Sequence, residues 1–236
     1  MKQKFVSYLD DFLSLIYPRL CHACGNSLFM NEEVLCTQCL YHLPQTHSHT
    51  EKGNLVEKVF WGRFQVESAA ARYYFRRGTK IQHLLHQFKY KNAPEIGIYL
   101  GRIYGSELIQ SPLFSSVQVV IPVPLHQSKL IKRGYNQAAM FARGLGQGMK
   151  IPVDETSLYR TFASETQTRK TRLKRWENVK SIFAVNHPDK LRGMHILLVD
   201  DVVTTGATLE ACAQKLLEID NVRISVASIA VAGKSI

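Results

Sequence analysis

Thirteen residues near the C-terminal end constrain this chain most: Ile196-Leu-Leu-Val-Asp-Asp-Val-Val-Thr-Thr-Gly-Ala-Thr208. Four consecutive apolar residues bounded by turn chemistry read as a strand buried on both faces. Such strands belong to parallel sheets, whose crossovers are helices. The strand ends in two adjacent carboxylates, Asp200 and Asp201. Val202 and Val203 follow, and Thr204-Thr205-Gly206-Ala207-Thr208 runs into a helix. At the carboxyl end of a parallel strand, loop amides and the next helix N-terminus converge on one point and favour an anion. Gly206 lets the main chain approach a phosphate closely, and the threonine hydroxyls add donors. The carboxylates repel a phosphate, so their natural partners are a sugar diol, as acceptors, or a divalent metal carried by the ligand. An acidic turn with a threonine helix cap is the plainer alternative, but it leaves so many matched features in one segment unexplained.

Periodicity extends this to the rest of the chain. Residues 1–20 carry Phe5, Leu9, Phe12, Leu13 and Ile16 at helical spacing, closed by Pro18. This is an amphipathic helix docked on the body; its acidic polar face argues against a membrane-surface helix. Helices are expected at 79–91, 95–110, 134–149 (opening after Gly134) and 207–218. Strands are expected at 117–123, 153–159, 195–199 and 223–231. Residues 160–180 read as a mobile loop or exposed helix. The domain division is 1–45 for the N-terminal helix and cysteine module, 46–70 for a connector, and 71–236 for an α/β domain with a mostly parallel sheet. No run of about 18 apolar residues occurs, so no membrane span is expected.

Four of the five cysteines form two CxxC pairs, Cys21/Cys24 and Cys36/Cys39, eleven residues apart. Each pair can present two thiolates from one tight turn. Four sulfurs satisfy tetrahedral Zn2+ with no open position, which makes a structural site. Two redox dithiols or an iron–sulfur cluster are the alternatives. Cys212 stands alone inside a helix, as a packed thiol. An odd count with four clustered suits a reducing cytoplasm rather than a secreted disulfide framework.

The 196–208 segment resembles the 5-phosphoribosyl-1-pyrophosphate (PRPP) signature of type I phosphoribosyltransferases. That resemblance implies Asp200 and Asp201 on the ribose hydroxyls, and Val203, Thr204, Thr205, Gly206, Ala207 and Thr208 around the 5′-phosphate. It implies a pyrophosphate loop at Pro124, Leu125 and His126 after the first core strand, and a catalytic loop within 160–180. A four-cysteine zinc finger preceding such a domain resembles the ComF/GntX family. Further matches are Pro18-Arg19-Leu20-Cys21-His22-Ala23-Cys24-Gly25, Phe88-Lys89-Tyr90-Lys91, Pro122-Val-Pro-Leu-His126, and Lys132-Arg133-Gly134-Tyr135-Asn136-Gln137. Gln167, Arg175, Asn178, Val179 and Phe183 fit the later part, and Ser164 stands where threonine is expected. Membership implies PRPP with Mg2+ as ligand and a role in natural transformation, handling imported single-stranded DNA beside a helicase or recombinase. An active phosphoribosyltransferase of nucleotide or related metabolism, with no DNA role, is the other reading. There Lys89 and Arg133, with cations of the 160–180 loop, neutralise the leaving pyrophosphate, and Asp200 and Asp201 complete the catalytic set.

Charge bears on the DNA reading. Thirty Lys and Arg against 19 Asp and Glu give +11, which attracts polyanions. Residues 72–91, 126–150 and 160–180 hold 18 of those 30 cations. Tyr73, Tyr74, Phe75, Phe88 and Tyr90 are interleaved with the first set. Cations with aromatic faces suit single-stranded nucleic acid. The alternatives are aromatics in the core under a solvated charged face, and cations that bind pyrophosphate.

Overall fold

The computed structural model describes residues 18–161 and 182–232. The expected helix over 1–20 and the 160–180 segment, with Ser164, Gln167, Arg175, Asn178 and Val179, lie almost wholly outside the described residues. In chain order the elements are α1 (Thr37–His42), α2 (Leu55–Lys58), β1 (Ala69–Phe75), α3 (Lys80–Tyr90), α4 (Glu95–Leu108), β2 (Val119–Pro122), α5 (Gln127–Arg133), α6 (Gln137–Met149), β3 (Leu158–Arg160), β4 (Phe183–Val185), β5 (His195–Val203), α7 (Ala207–Leu216) and β6 (Arg223–Ala232).

The apolar run at 196–199 becomes the interior of β5, with β6 on one side and β2 on the other. The order is β1-β6-β5-β2 and every pairing is parallel. Alternation sends successive side chains to opposite faces. Leu197 and Val199 pack with Phe88, Tyr104 and Phe141 on one face. Ile196 and Leu198 pack with Phe60, Leu209 and Leu216 on the other. Both faces are therefore dry, and β5 can tolerate polar residues only at its ends.

Both outer edges of the sheet are covered by coil, which blocks pairing with another chain. On β1, the Thr46 amide donates to Arg72 O (2.9 Å) and the Tyr74 amide to Pro44 O (2.8 Å). Ser48 Oγ donates to Ala71 O at 3.1 Å and accepts from the Ala71 amide at 3.0 Å. Pro44, Thr46 and Ser48 thus seal the β1 edge. On β2, the Val120 amide donates to Pro152 O (3.0 Å), and the Asp154 amide donates to Val120 O (2.9 Å).

That second seal corrects one expectation. Residues 153–159 are not a strand of the main sheet. Val153 makes a single parallel bridge to Val120, and only Leu158–Arg160 is extended, paired antiparallel with β4. The Asp154 carboxylate accepts from the amides of Thr156 and Ser157, both at 2.9 Å. This side-chain turn competes with the ladder and ends it. A second correction concerns the aromatics at 73–90. Tyr73 and Phe88 are fully buried, because the alternation of β1 and the apolar face of α3 point them into the core. They cannot stack on bases. Arg72 is buried too, with its Nε donating to Tyr73 Oη at 2.9 Å and its guanidinium paired with Glu107.

The N-terminal module shares this core: Val34, Leu35 and Cys39 belong to the cluster that contains Tyr104 and Phe141. Helices α4 and α6 approach through glycine. A Cβ on Gly105 would lie 2.6 Å from Leu145 O, and one on Gly144 would lie 2.9 Å from the Arg102 amide and closer still to Ile98 O. In an open helix Gly→Ala adds up to about 1 kcal/mol of stability. Gly144→Ala instead forces the helices apart. It is expected to lose about 1–3 kcal/mol, read as a lower urea midpoint; a higher midpoint would show that the contact yields freely.

Candidate functional site

The carboxyl end of β5 opens into a cavity of about 340 Å3. Its walls come from α3, the loop after β2, α5, α6, β3 and the start of α7. Asp200 and Asp201 form one side. Lys89, Lys129, Arg133 and Arg160 bring four cations to face them, with Thr208 beside the carboxylates. Pro124, Leu125 and His126 line the same space. The structure thus assembles Asp200, Asp201, Lys89, Arg133, Thr208 and the 124–126 loop from distant parts of the sequence.

Local chemistry holds these groups in place. Asn136 caps α6, its Oδ1 accepting from the Ala138 amide at 3.0 Å, while its Nδ2 donates to Val123 O at 3.0 Å. One side chain thereby ties the start of α6 to the loop after β2. The helix expected after Gly134 begins at this point. Gly134, at φ 81°, ends α5, and α6 begins only after Asn136. Arg133 donates to Gln137 Oε1 at 2.7 Å and lies over the Tyr90 ring at 5.5 Å. Lys89 Nζ reaches Asp201 Oδ2 at 2.8 Å, so its charge is engaged by a carboxylate. Burial and the neighbouring Asp201 charge push the Asp200 carboxyl up to about 7. The Asp201 amide, donating to Asp200 Oδ1 at 2.8 Å, and Lys89 work in the opposite direction.

The other expected phosphate residues are distributed differently. Val203 is buried. Thr204 faces a neighbouring cavity. Thr205 O accepts from Arg63 Nη1 at 2.6 Å. Gly206, at φ 75°, precedes Ala207 at the head of α7. A Cβ on Gly206 would sit 2.8 Å from the Phe60 ring, so left-handed backbone and tight packing both demand glycine here. Lys129 and Arg160 line the cavity without having been singled out, beside Gln137 of the 132–137 match. Lys129 and Arg160 were legible only as members of basic stretches.

The four clustered cysteines converge. Their sulfurs all lie within 4.8 Å of one another, and Cys24 Sγ is 3.7 Å from Cys36 Sγ. Tetrahedral ligation with metal–sulfur bonds of about 2.3 Å requires sulfurs about 3.8 Å apart. The Cys36 amide donates to Cys21 Sγ at 3.3 Å and the Cys39 amide to Cys36 Sγ at 3.4 Å, the environment that thiolates need. Cys21, Cys24, Cys36 and Cys39 therefore fit a metal ion. Cys212 is wholly buried under β5.

The raised Asp200 carboxyl has a consequence for stability. The folded state holds this proton more tightly than the unfolded chain. The contribution is full below the ordinary carboxylate range near 3.8 and is lost as pH rises through about 7. Asp200→Asn removes the penalty of the buried charge. Its melting temperature is expected to exceed that of the unaltered protein at pH 8, with the gap narrowing toward pH 5. Differential scanning fluorimetry across that range checks this, and a gap independent of pH would refute it.

Residues 132–235 match the model of the phosphoribosyl transferase domain. The DNA utilization protein YhgH of Shigella flexneri is 31% identical over 209 residues, covering 87% of this chain and 87% of that protein. The competence protein ComFC of Bacillus subtilis is 31% identical over 143 residues, covering 58% of this chain and 54% of that one. Among solved structures, the glutamine PRPP amidotransferase of B. subtilis aligns over 60% of this chain and 30% of its own, at 18% identity and a TM-score of 0.41. With a parallel phosphoribosyltransferase-type sheet and an N-terminal four-cysteine cluster, the chain belongs to the ComF/GntX family.

Proposed function

We propose that this protein binds PRPP with Mg2+ in the cavity at the end of β5 and acts in the handling of imported single-stranded DNA. The observation that carries the first half is the carboxylate pair facing four cations across one cavity. A phosphorylated sugar presents both complements, hydroxyls that donate and phosphates that accept. Asp200 and Asp201 take the ribose diol. Lys129, Arg133 and Arg160 take the diphosphate oxygens as charge-assisted acceptors, with Pro124, Leu125 and His126 forming the loop beneath. Thr208 and the head of α7 serve the 5′-phosphate. Carboxylate oxygens are also the donors that Mg2+ prefers; bound with PRPP, the ion would neutralise part of the diphosphate charge. If transfer occurs, these residues act by position and electrostatics. Arg133 and its neighbours stabilise departing diphosphate, and Lys89 holds Asp201 in place against the sugar.

The DNA half is supported by relatives named for DNA utilization and competence, and by exposed cations outside the cavity. Arg76, Arg77, Lys80, Lys91 and Lys132 are all exposed, beside half-exposed Tyr90. These cations grip phosphates, and Tyr90 offers one stacking face. A helicase or recombinase is the expected partner. Zn2+ is the metal we assign to the cysteine module, in a structural role. Five thiols without a disulfide suit the cytoplasm, and no described helix is long and apolar enough to cross a membrane.

Calorimetric titration with PRPP and Mg2+, beside filter binding of a fluorescent oligonucleotide, tests both halves. The double variant Asp200→Asn/Asp201→Asn is expected to lose PRPP binding while keeping most of its DNA affinity. DNA affinity should fall by about tenfold or more between 50 and 200 mM salt. Absence of PRPP binding in the unaltered protein defeats the first half. DNA binding that is absent at low salt, or indifferent to salt, defeats the second. Elemental analysis is expected to find about one zinc per chain, lost in Cys24→Ser together with thermal stability. Iron with visible absorption would overturn the zinc assignment.

A further inference from the structure

The turn at 204–206 is braced from outside by a segment far from it in sequence. Asn54 starts that segment. Its Oδ1 accepts from the amides of Val56 and Glu57, at 2.8 and 3.1 Å, and its Nδ2 donates to Ala69 O at 2.9 Å. One side chain thus caps α2 and ties it to the start of β1. Beyond α2 the chain turns. The Arg63 amide donates to Phe60 O at 3.0 Å, and Gly62, at φ 74°, permits the bend. Two contacts with the 204–206 turn result. Val59 and Phe60 press on Gly206, where a Cβ would lie 2.9 and 2.8 Å from them. Arg63 Nη1 donates to Thr205 O at 2.6 Å and reaches Glu210 Oε2 at 3.3 Å.

The bond to Thr205 O fixes a peptide plane. The C=O and N–H of a trans peptide point in opposite directions, and the described residues contain no cis peptide. With Thr205 O turned to Arg63, the Gly206 N–H is turned away from it. Gly206 O is held as well, accepting from the Glu210 amide at 2.9 Å in the first turn of α7. Both carbonyls at the head of α7 are thus answered by protein donors. The amides of Thr204, Thr205 and Gly206 find no protein acceptor among the described residues. The turn presents donors and withholds acceptors, which is what an anion requires.

The brace matters because glycine is permissive. A peptide next to glycine can rotate by half a turn at little steric cost. Rotation would exchange the Gly206 N–H for the Thr205 carbonyl oxygen, which repels a phosphate. Arg63 is the one donor to Thr205 O among the described residues, and it is not part of the wall of the carboxylate cavity. We propose that Arg63 is a positioning residue for the sugar's terminal phosphate, holding the Thr205–Gly206 peptide with its N–H toward that phosphate. This rests on the sugar-phosphate reading of the cavity and adds the group that sets its phosphate turn.

The test uses the full-length protein with its metal and measures ribose 5-phosphate and inorganic diphosphate, each with Mg2+, by calorimetry. Arg63→Ala is expected to weaken ribose 5-phosphate by about fivefold or more. It should leave diphosphate within about twofold, because Lys129, Arg133 and Arg160 hold that ligand. Arg63→Lys keeps a donor for Thr205 O and is expected to recover most of the lost affinity. Unchanged thermal melts, and retained diphosphate binding in the same variant, check that the cavity is intact. Equal losses for both ligands overturn the proposal, since Arg63 then acts as a distant charge or through general stability. A lysine variant no better than alanine also overturns it. Ribose 5-phosphate that binds the unaltered protein and Arg63→Ala alike defeats this inference alone. Ribose 5-phosphate that fails to bind the unaltered protein removes the sugar-phosphate reading and this inference with it.

Discussion

Placing two adjacent carboxylates in β5, directly after its five buried residues, is costly. A carboxylate withdrawn from water costs several kcal/mol unless something answers its charge. Lys89 answers Asp201 directly at 2.8 Å. Asp200 has no ion pair of its own among the described residues, and its carboxyl holds its proton up to about 7. A ligand that donates hydroxyls or brings a divalent cation supplies what the protein withholds. Under the function proposed above, the same pair that weakens the free fold would be the source of affinity at the site.

That cost is bearable only on a rigid platform. β5 is paired on both sides, and coil covers the outer edges of β1 and β2, so the sheet has no route by which to slide. The glycine contact between α4 and α6 fixes how closely α6 packs. At its start, Asn136 fastens the loop after β2. The cations of the cavity ride on these elements: Lys89 on α3, Lys129 and Arg133 on α5, Arg160 on β3. Sites carried by packed helices and strands hold their geometry better than sites on free loops. The cysteine module contributes to the same platform, since its apolar residues share the core beneath α4 and α6.

The parts that were legible in the sequence are those whose cause is local. A run of Ile and Leu followed by Asp-Asp specifies a buried strand with a polar end wherever it occurs, and two CxxC pairs specify convergent sulfurs. Val153 was misleading because a β-branched residue can equally cap a sheet edge, and Asp154 decides the matter through its side chain. β1 was overlooked because Arg72, Tyr73 and Tyr74 look like surface. The Glu107 carboxylate, 35 residues away, together with the Tyr73 hydroxyl, makes a buried arginine tolerable there. Lys129 and Arg160 were invisible as individuals for a similar reason. Nothing near them in sequence distinguishes a cation that faces a cavity from one that faces water.

The cavity and the surface draw on one pool of positive charge. Lys129 and Arg133 belong to the cavity, while Lys132, between them in sequence, faces solvent. At physiological salt, charges within about 8 Å still feel one another. A diphosphate sugar bound among the four cavity cations cancels much of the field that the nearby surface presents to a DNA strand. By linkage, a strand lying on that surface weakens the sugar phosphate by the same factor. On the function proposed above, the two ligands would compete through electrostatics. Such competition would be strongest at low ionic strength and fall away as salt screens it.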